Sequence, residues 1–264
     1  MSIELSSMSN QKILYVTTEM FPYQEGTNMA SEVNKMALKM HQEGNDVRVF
    51  MPRFGLISER KYQLHEVIRL SGMNIIINDL DQPLIVKVAS LPGERLQVYF
   101  IDNDEYFKRK SYYTDEEGKP FEDNDERAIF FTRGAIETIK KLNWVPDVIH
   151  LSGWMSSFVA IYLKNFYKTD SYFQDTKLVL SVYNEKNFSL GKEIEEKLKF
   201  DGISGLKAVE NPTIQDFVVE GMGLVDLVVK GDKKLNKTLE EGFKNTETPK
   251  MDGGNEEEIS QIYK

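Results

Sequence analysis

The chain has 264 residues, of which 41% are hydrophobic and 28% charged, with no cysteine and a formal net charge of −9. Such a chain is long enough for one large domain or two small ones and can bury a core without staples. The missing cysteines exclude a disulfide framework and thiolate metal sites. With a pI of about 5.1 and no basic face, neither nucleic acid nor an anionic membrane is an expected partner. No apolar run approaches a membrane span, and the polar stretch 1–11 lacks the basic start and apolar core of a signal peptide. The expectation is a cytoplasmic protein.

Residues 12–17 (KILYVT) read as a buried strand. A loop over 19–28 follows, holding Pro22 and Gly26, and Thr27 or Asn28 is placed to cap the next helix. Met29, Val33, Met36, Ala37 and Met40 then recur on one helical face, read as core packing. Gly44 stops the helix. Residues 46–51 (DVRVFM) complete a βαβ unit, so the two strands should be parallel. From 62 to 101 three strand-like runs, 75–77, 84–88 and 96–101, alternate with turn signals at Asn78-Asp79, 81–83 and Pro92-Gly93. This reads as a β-rich, partly antiparallel insertion, and its edge is also available for pairing with a partner chain.

Residues 106–125 read as a loop or short helices over one edge. Residues 123–127 (DNDER) read as the solvated start of a helix, continued by the apolar face Phe131, Ala135, Ile139 and Leu142. A strand over 147–151 (DVIHL) leads into a deeply apolar helix over 154–167. Residues 177–182 are a strand, 214–222 a helix, 224–229 a last strand and 235–243 a last helix. Residues 244–264 are expected to be a polar, mobile tail. The fold class is α/β: a Rossmann-like, mostly parallel sheet with helices on both faces.

Such sheets bind ligands outside the carboxyl ends of their strands, where helix N-termini bring unpaired N–H groups. Three segments should converge there: 19–28, 150–154 and 183–189. The ligand-edge candidates are Gly26, Thr27, Asn28, His150, Ser152, Trp154, Tyr183 and Asn184. Each also has a plain structural reading. His150 suits a core position satisfied by a neighbour, Ser152 a helix cap, and Trp154 the core. With His41, His65 and His150 widely spaced, no metal site is expected, and Ser152 lacks the surroundings of a hydrolase nucleophile.

The same segments carry a resemblance. KILYVTTEMFPY with its glycine-bearing loop, and NDVRVFMPRF, look like the start of glycogen and starch synthases. PDVIHLSGWMSSFVAIYLK resembles their PDVVHAHDWHTGLAPAYLK, LVLSVYNEKNFSLG their TIHN strand and turn, and residues 214–239 the last helix, strand and helix of their first domain. The resemblance runs from about 12 to 239. It implies the first half of a GT-B fold, ADP-glucose as donor, an α-glucan as acceptor and transfer with retention, with no cofactor.

The departures are as informative. Where the family has KTGGLADV, this chain has Gln24, Glu25, Gly26, Thr27 and Asn28, and the family's lysine falls near Gln24 or Glu25. An inward Glu25 would repel a diphosphate by roughly 4 kcal/mol at 4 Å and an effective dielectric near 20. HAHDWH becomes His150 to Met155, with Ser152 at the second histidine and Gly153 at the aspartate; in the third motif Tyr183 replaces histidine and Asn184 is kept. Ser152 offers a hydrogen bond but no imidazole chemistry. Nothing after Phe243 reads as the family's second domain, which supplies the cations that stabilise a leaving diphosphate. No catalytic residue is assigned. The expectation is a synthase-like domain inactive alone that binds glucan or ADP-glucose, or else a non-catalytic scaffold for a separate protein partner.

Overall fold

In the computed structural model, which describes residues 10–253 and 262–263, the chain opens with β1 (Lys12–Thr17), buried at every position after Lys12. An unbroken apolar run is what a strand covered on both faces requires. Helix α1 (Asn28–Gln42) is capped by Thr27 rather than Asn28: the Thr27 hydroxyl accepts from Ala30 N at 3.1 Å. Its buried face carries Met29, Val33, Met36, Ala37 and Met40. Strand β2 (Asp46–Pro52) returns parallel to β1, with Val16 opposite Phe50.

The next stretch holds α2 (Glu59–Tyr62), β3 (His65–Glu66), β4 (Met73–Ile77), β5 (Leu80–Ser90) and β6 (Gln97–Asp102). β3 and β4 pair antiparallel with β5, as β5 does with β6. The β4–β5 turn rests on Asn78 and Asp79, with φ of 47° and 68°, the left-handed pair that a two-residue hairpin favours. The turn expected at 81–83 is absent. Those residues lie inside β5 and pair there with β4 alone, so the N–H that Pro83 lacks need not interrupt a two-sided ladder. The run expected over 96–101 forms β6, which pairs antiparallel with β5 and parallel with β2, so these antiparallel strands continue the main sheet.

A short α3 (Asp104–Phe107) and a loop lead to α4 (Asn124–Lys141). The start of α4 is not solvated: Asn124 and Asp125 are 1% exposed and Arg127 is 0% exposed. The rest runs β7 (Val148–Ser152), α5 (Trp154–Lys164), β8 (Lys177–Val182), α6 (Ile194–Phe200), α7 (Ile214–Met222), β9 (Leu227–Lys230), α8 (Lys237–Asn245) and β10 (Lys250–Asp252). The sheet order is β10-β9-β8-β7-β1-β2-β6-β5-β3, with β4 on β5. β1 crosses over to β2 in one direction, and β7 to β8 in the other. Right-handed crossovers running in opposite directions put their helices on opposite faces. Accordingly α1 packs on β1 and β2, while α4, α5 and α7 pack on one another across the other face. The strand order reverses between β1 and β7, and a crevice opens above that point.

The segment after Phe243, read from sequence as a polar tail, is partly built into the sheet. β10 pairs parallel with β9, and Ile262 and Tyr263 are each 3% exposed. Residues 254–261, like 1–9, lie outside the described residues. No helix among the described residues is long and apolar enough to cross a membrane.

Candidate functional site

The carboxyl ends of β1, β7 and β8 finish in one row of small polar residues, Thr17 beside Ser152 and Ser152 beside Ser181. Just beyond that row lies a cavity of about 380 Å³. Glu19 and Gln24 reach it from the loop after β1, Trp154 from the start of α5, Glu185 from the turn after β8 and Asp232 from the turn after β9. Tyr112 and Tyr113 close it from the loop before α4. Asn124 Nδ2 holds that loop by donating to Tyr113 O at 2.9 Å, and Arg127 Nη1 in turn donates to Asn124 Oδ1 at 2.6 Å. The buried start of α4 therefore supports one wall of the cavity. Burial lowers Arg127 to about 10, still charged at neutral pH.

The entry to α5 depends on Gly153. Its φ is +87°, and a Cβ there would stand 1.9 Å from Thr18 Oγ1. An aspartate, the residue the resemblance places at this position, would not fit this backbone. Nor does Ser152 cap α5; Gly153 holds the cap position without a side-chain bond. Instead Glu185 Oε2 accepts from Trp154 N at 2.8 Å, placing a carboxyl at the positive end of the helix.

Even so, burial and then the charge of Glu19 push Glu185 up to about 8. Burial raises Glu19 as well, against hydrogen bonds from Thr27 and Gln24. Four polar atoms on the lining residues are out of contact with solvent and have no hydrogen-bond partner among the described residues: Glu185 Oε1, Gln24 Oε1, Trp154 Nε1 and the Tyr113 hydroxyl. Buried polar groups are normally paired, so such atoms gathered around one cavity mark a place for a ligand. Trp154, Tyr113 and Phe188 form the apolar part, with ring centroids 5.5 to 6.1 Å apart pairwise.

The expected candidates divide. Thr27, Asn28, Trp154, Tyr183 and Asn184 line the cavity; Gly26, His150 and Ser152 do not. Asn28 and Asn184 are joined through Asp232, whose Oδ1 accepts from Asn28 Nδ2 at 2.8 Å and Oδ2 from Asn184 N at 2.7 Å. His150 sits in the core, 0% exposed, with Nδ1 2.6 Å from the Tyr263 hydroxyl and Nε2 2.7 Å from Ser181 Oγ. Glu25 is exposed and outside the lining, so the carboxyl groups at this rim are those of Glu19, Glu185 and Asp232. Sequence reasoning did not single out these three. Their signal was position, since each falls within three residues of a strand's carboxyl end. Lys186 is the one cation among the described lining residues. Lys35, Lys39, Lys233 and Lys234 line a wider neighbouring groove of about 1090 Å³, which adjoins the cavity at Asn28, Tyr183, Asn184 and Asp232. No group of His, Asp and Glu among the described residues could hold a metal ion.

The starch synthase catalytic domain model matches residues 12–230. The chain belongs to that family. A glycogen synthase of Chlorobium limicola is 38% identical over 66% of this chain and 36% of its own length. One from Chlorobium chlorochromatii is 34% identical over 88% of this chain and 48% of its own. The chain thus spans less than half the length of these curated relatives. Among solved structures, the catalytic domain of starch synthase IV from Arabidopsis thaliana, bound to ADP and acarbose, superposes with a TM-score of 0.66 at 17% identity over 84% of this chain and 45% of that one. The starch synthase-like fold is the first half of a GT-B architecture, and the cavity described above lies at its carboxyl edge.

Proposed function

We propose that this starch synthase-like domain binds a saccharide of the α-glucan class at the carboxyl edge of its sheet and does not by itself transfer glucose from ADP-glucose. One observation carries the reading: among the described residues, the cavity is lined by the carboxyls of Glu19, Glu185 and Asp232 and by a single cation, Lys186. A departing diphosphate needs preorganised positive charge, and carboxylates in a partly desolvated cleft oppose it. Hydroxyl-rich sugar, by contrast, suits buried acceptors, an indole N–H and aromatic walls. The lysines of the neighbouring groove do not line this cavity.

Thermal denaturation with maltotriose should raise the melting temperature, since a ligand that binds only the folded state stabilises it. ADP release from ADP-glucose with glycogen as acceptor should stay at background. Turnover comparable to a complete synthase would end this reading.

A second reading, a non-catalytic scaffold for a separate protein partner, draws on an apolar patch. Ile76, Leu80, Phe166 and Phe200 are 44%, 59%, 42% and 52% exposed. Arg133 draws three of their elements together: it bonds Ile76 O, pairs with Asp201 beside Phe200 and lies 5.0 Å from the Phe166 ring centroid. The absence of any shift with sugars, together with a co-purifying protein lost on replacing Phe166 and Phe200 by serine, would favour this reading.

A further inference from the structure

The charge balance of the cavity says more than that it disfavours phosphate. Glu185 offers Oε1, a buried acceptor with no partner among the described residues, while its Oε2 is held by the first N–H of α5. Glu19 reaches the same cavity from β1 and Asp232 from β9. Trp154, Tyr113 and Phe188 line the same cavity as three mutually adjacent rings. The indole N–H of Trp154, itself 0% exposed, also has no partner among the described residues. Aromatic rings and carboxyl groups lining one cavity suit a bound ammonium group, attracted both by ring quadrupoles and by anions. Buried acceptors and an indole N–H beside them suit sugar hydroxyls.

We propose that this cavity selects a sugar unit carrying a primary ammonium group, seated between Glu185 and Glu19 where the Trp154, Tyr113 and Phe188 rings line it. The inference rests on the saccharide-binding reading above and sharpens its ligand class. Among the described residues, the charged and titratable groups around Glu185 are Glu19, Asp232 and Tyr113, with Lys186 and Lys234 lining the groove beside it and the N-terminus of α5 at its Oε2. Burial and the Glu19 charge hold Glu185 largely protonated at neutral pH. A cation arriving beside it reverses that balance, so the Glu185 carboxyl ionises and its proton passes to buffer. The amino sugar keeps its own proton throughout, and no covalent bond changes.

The test is calorimetric titration of the whole chain at pH 7 with glucosamine, glucose, N-acetylglucosamine, cadaverine and maltotriose. Glucosamine should bind about ten-fold more tightly than glucose or N-acetylglucosamine, which share its ring but not its charge. Repeating the titration in buffers of different ionisation enthalpy should show most of one proton released with glucosamine and none with glucose. Glu185→Gln should erase both the preference and the proton release. If that variant does not fold, the wild-type proton count still decides. Equal affinity for glucose and glucosamine, with maltotriose binding intact, overturns this inference and leaves the saccharide reading standing. Failure of every sugar, maltotriose included, overturns both. Cadaverine binding as tightly as glucosamine removes the sugar from the proposal and so overturns it.

Discussion

Two clusters of buried polar groups lie along the same strands, and they differ in whether their hydrogen bonds are complete. At mid-strand, the Tyr15 hydroxyl is 2.7 Å from that of Tyr263, Tyr263 is 2.6 Å from His150 Nδ1, and His150 Nε2 is 2.7 Å from Ser181 Oγ. Tyr263 O also accepts from Gln11 Nε2 at 2.7 Å, and Ile262 O from Lys177 Nζ at 2.9 Å. Beyond the strand ends, Glu185, Gln24 and Trp154 each keep a buried polar atom unpaired among the described residues. A satisfied network rigidifies a core, whereas an unsatisfied one is costly unless something else completes it. The first cluster is structural and contains the histidine that sequence motifs mark as a site residue. The second is the proposed site, and its central carboxyl, Glu185, lies in a marked turn but is not one of the expected candidate residues.

Replacing a member of the satisfied cluster should give the largest effect. Tyr263→Ala should cost about 3–5 kcal/mol in urea unfolding, the range for a buried aromatic ring. Tyr263→Phe keeps the ring and should cost about 1–3 kcal/mol for the partners left unpaired. A loss under about 1 kcal/mol for the alanine variant would mean that this end of the chain is not part of the core.

The hinge between the clusters comes next. Gly153→Ala should cost about 2–4 kcal/mol, from a side chain at positive φ and from contact with Thr18. Adding Thr18→Ala should recover the contact share and leave the backbone share. Strict additivity of the two changes would show that Thr18 and position 153 do not meet.

The smallest effect is a pH dependence with opposite signs in the two clusters. Glu185 is raised to about 8, so its contribution to stability is complete below the ordinary carboxyl range and is lost as pH rises through about 8. Glu185→Gln should therefore match wild type near pH 4 and become the more stable of the two as pH rises toward 9. Burial lowers His150 to about 3. Its contribution is present above the ordinary histidine range and is lost as pH falls toward about 3. Melting temperatures of wild type and Glu185→Gln measured across pH 4 to 9 test both; superimposable curves would remove the distinction drawn for Glu185.

Much of the fold is legible in the residues. The strands at 12–17 and 177–182 and the helix at 214–222 match the structure residue for residue, because continuous apolar runs and helical spacing are local signals. The misread places share one cause. Residues 81–83 look like a turn but extend a strand that β4 supports. Residues 123–127 look solvated, yet Lys197 covers Asp125 at 2.7 Å and Glu126 at 2.9 Å from a helix far along the chain. Tyr263 sits in a stretch of polar residues and fills a slot in the core. In each case a distant partner, absent from the local sequence, makes a polar residue affordable inside.

The sequence by itself settled the architecture and its family, since hydrophobic period, glycine stops and motif order are written along the chain. It also brought the three segments that meet above the strand ends to notice. Only the tertiary structure decided which polar residues in those segments were already satisfied and which were not. Hydrogen-bond completion depends on distance in space, and residues 150 and 263, or 154 and 185, are neighbours only after folding.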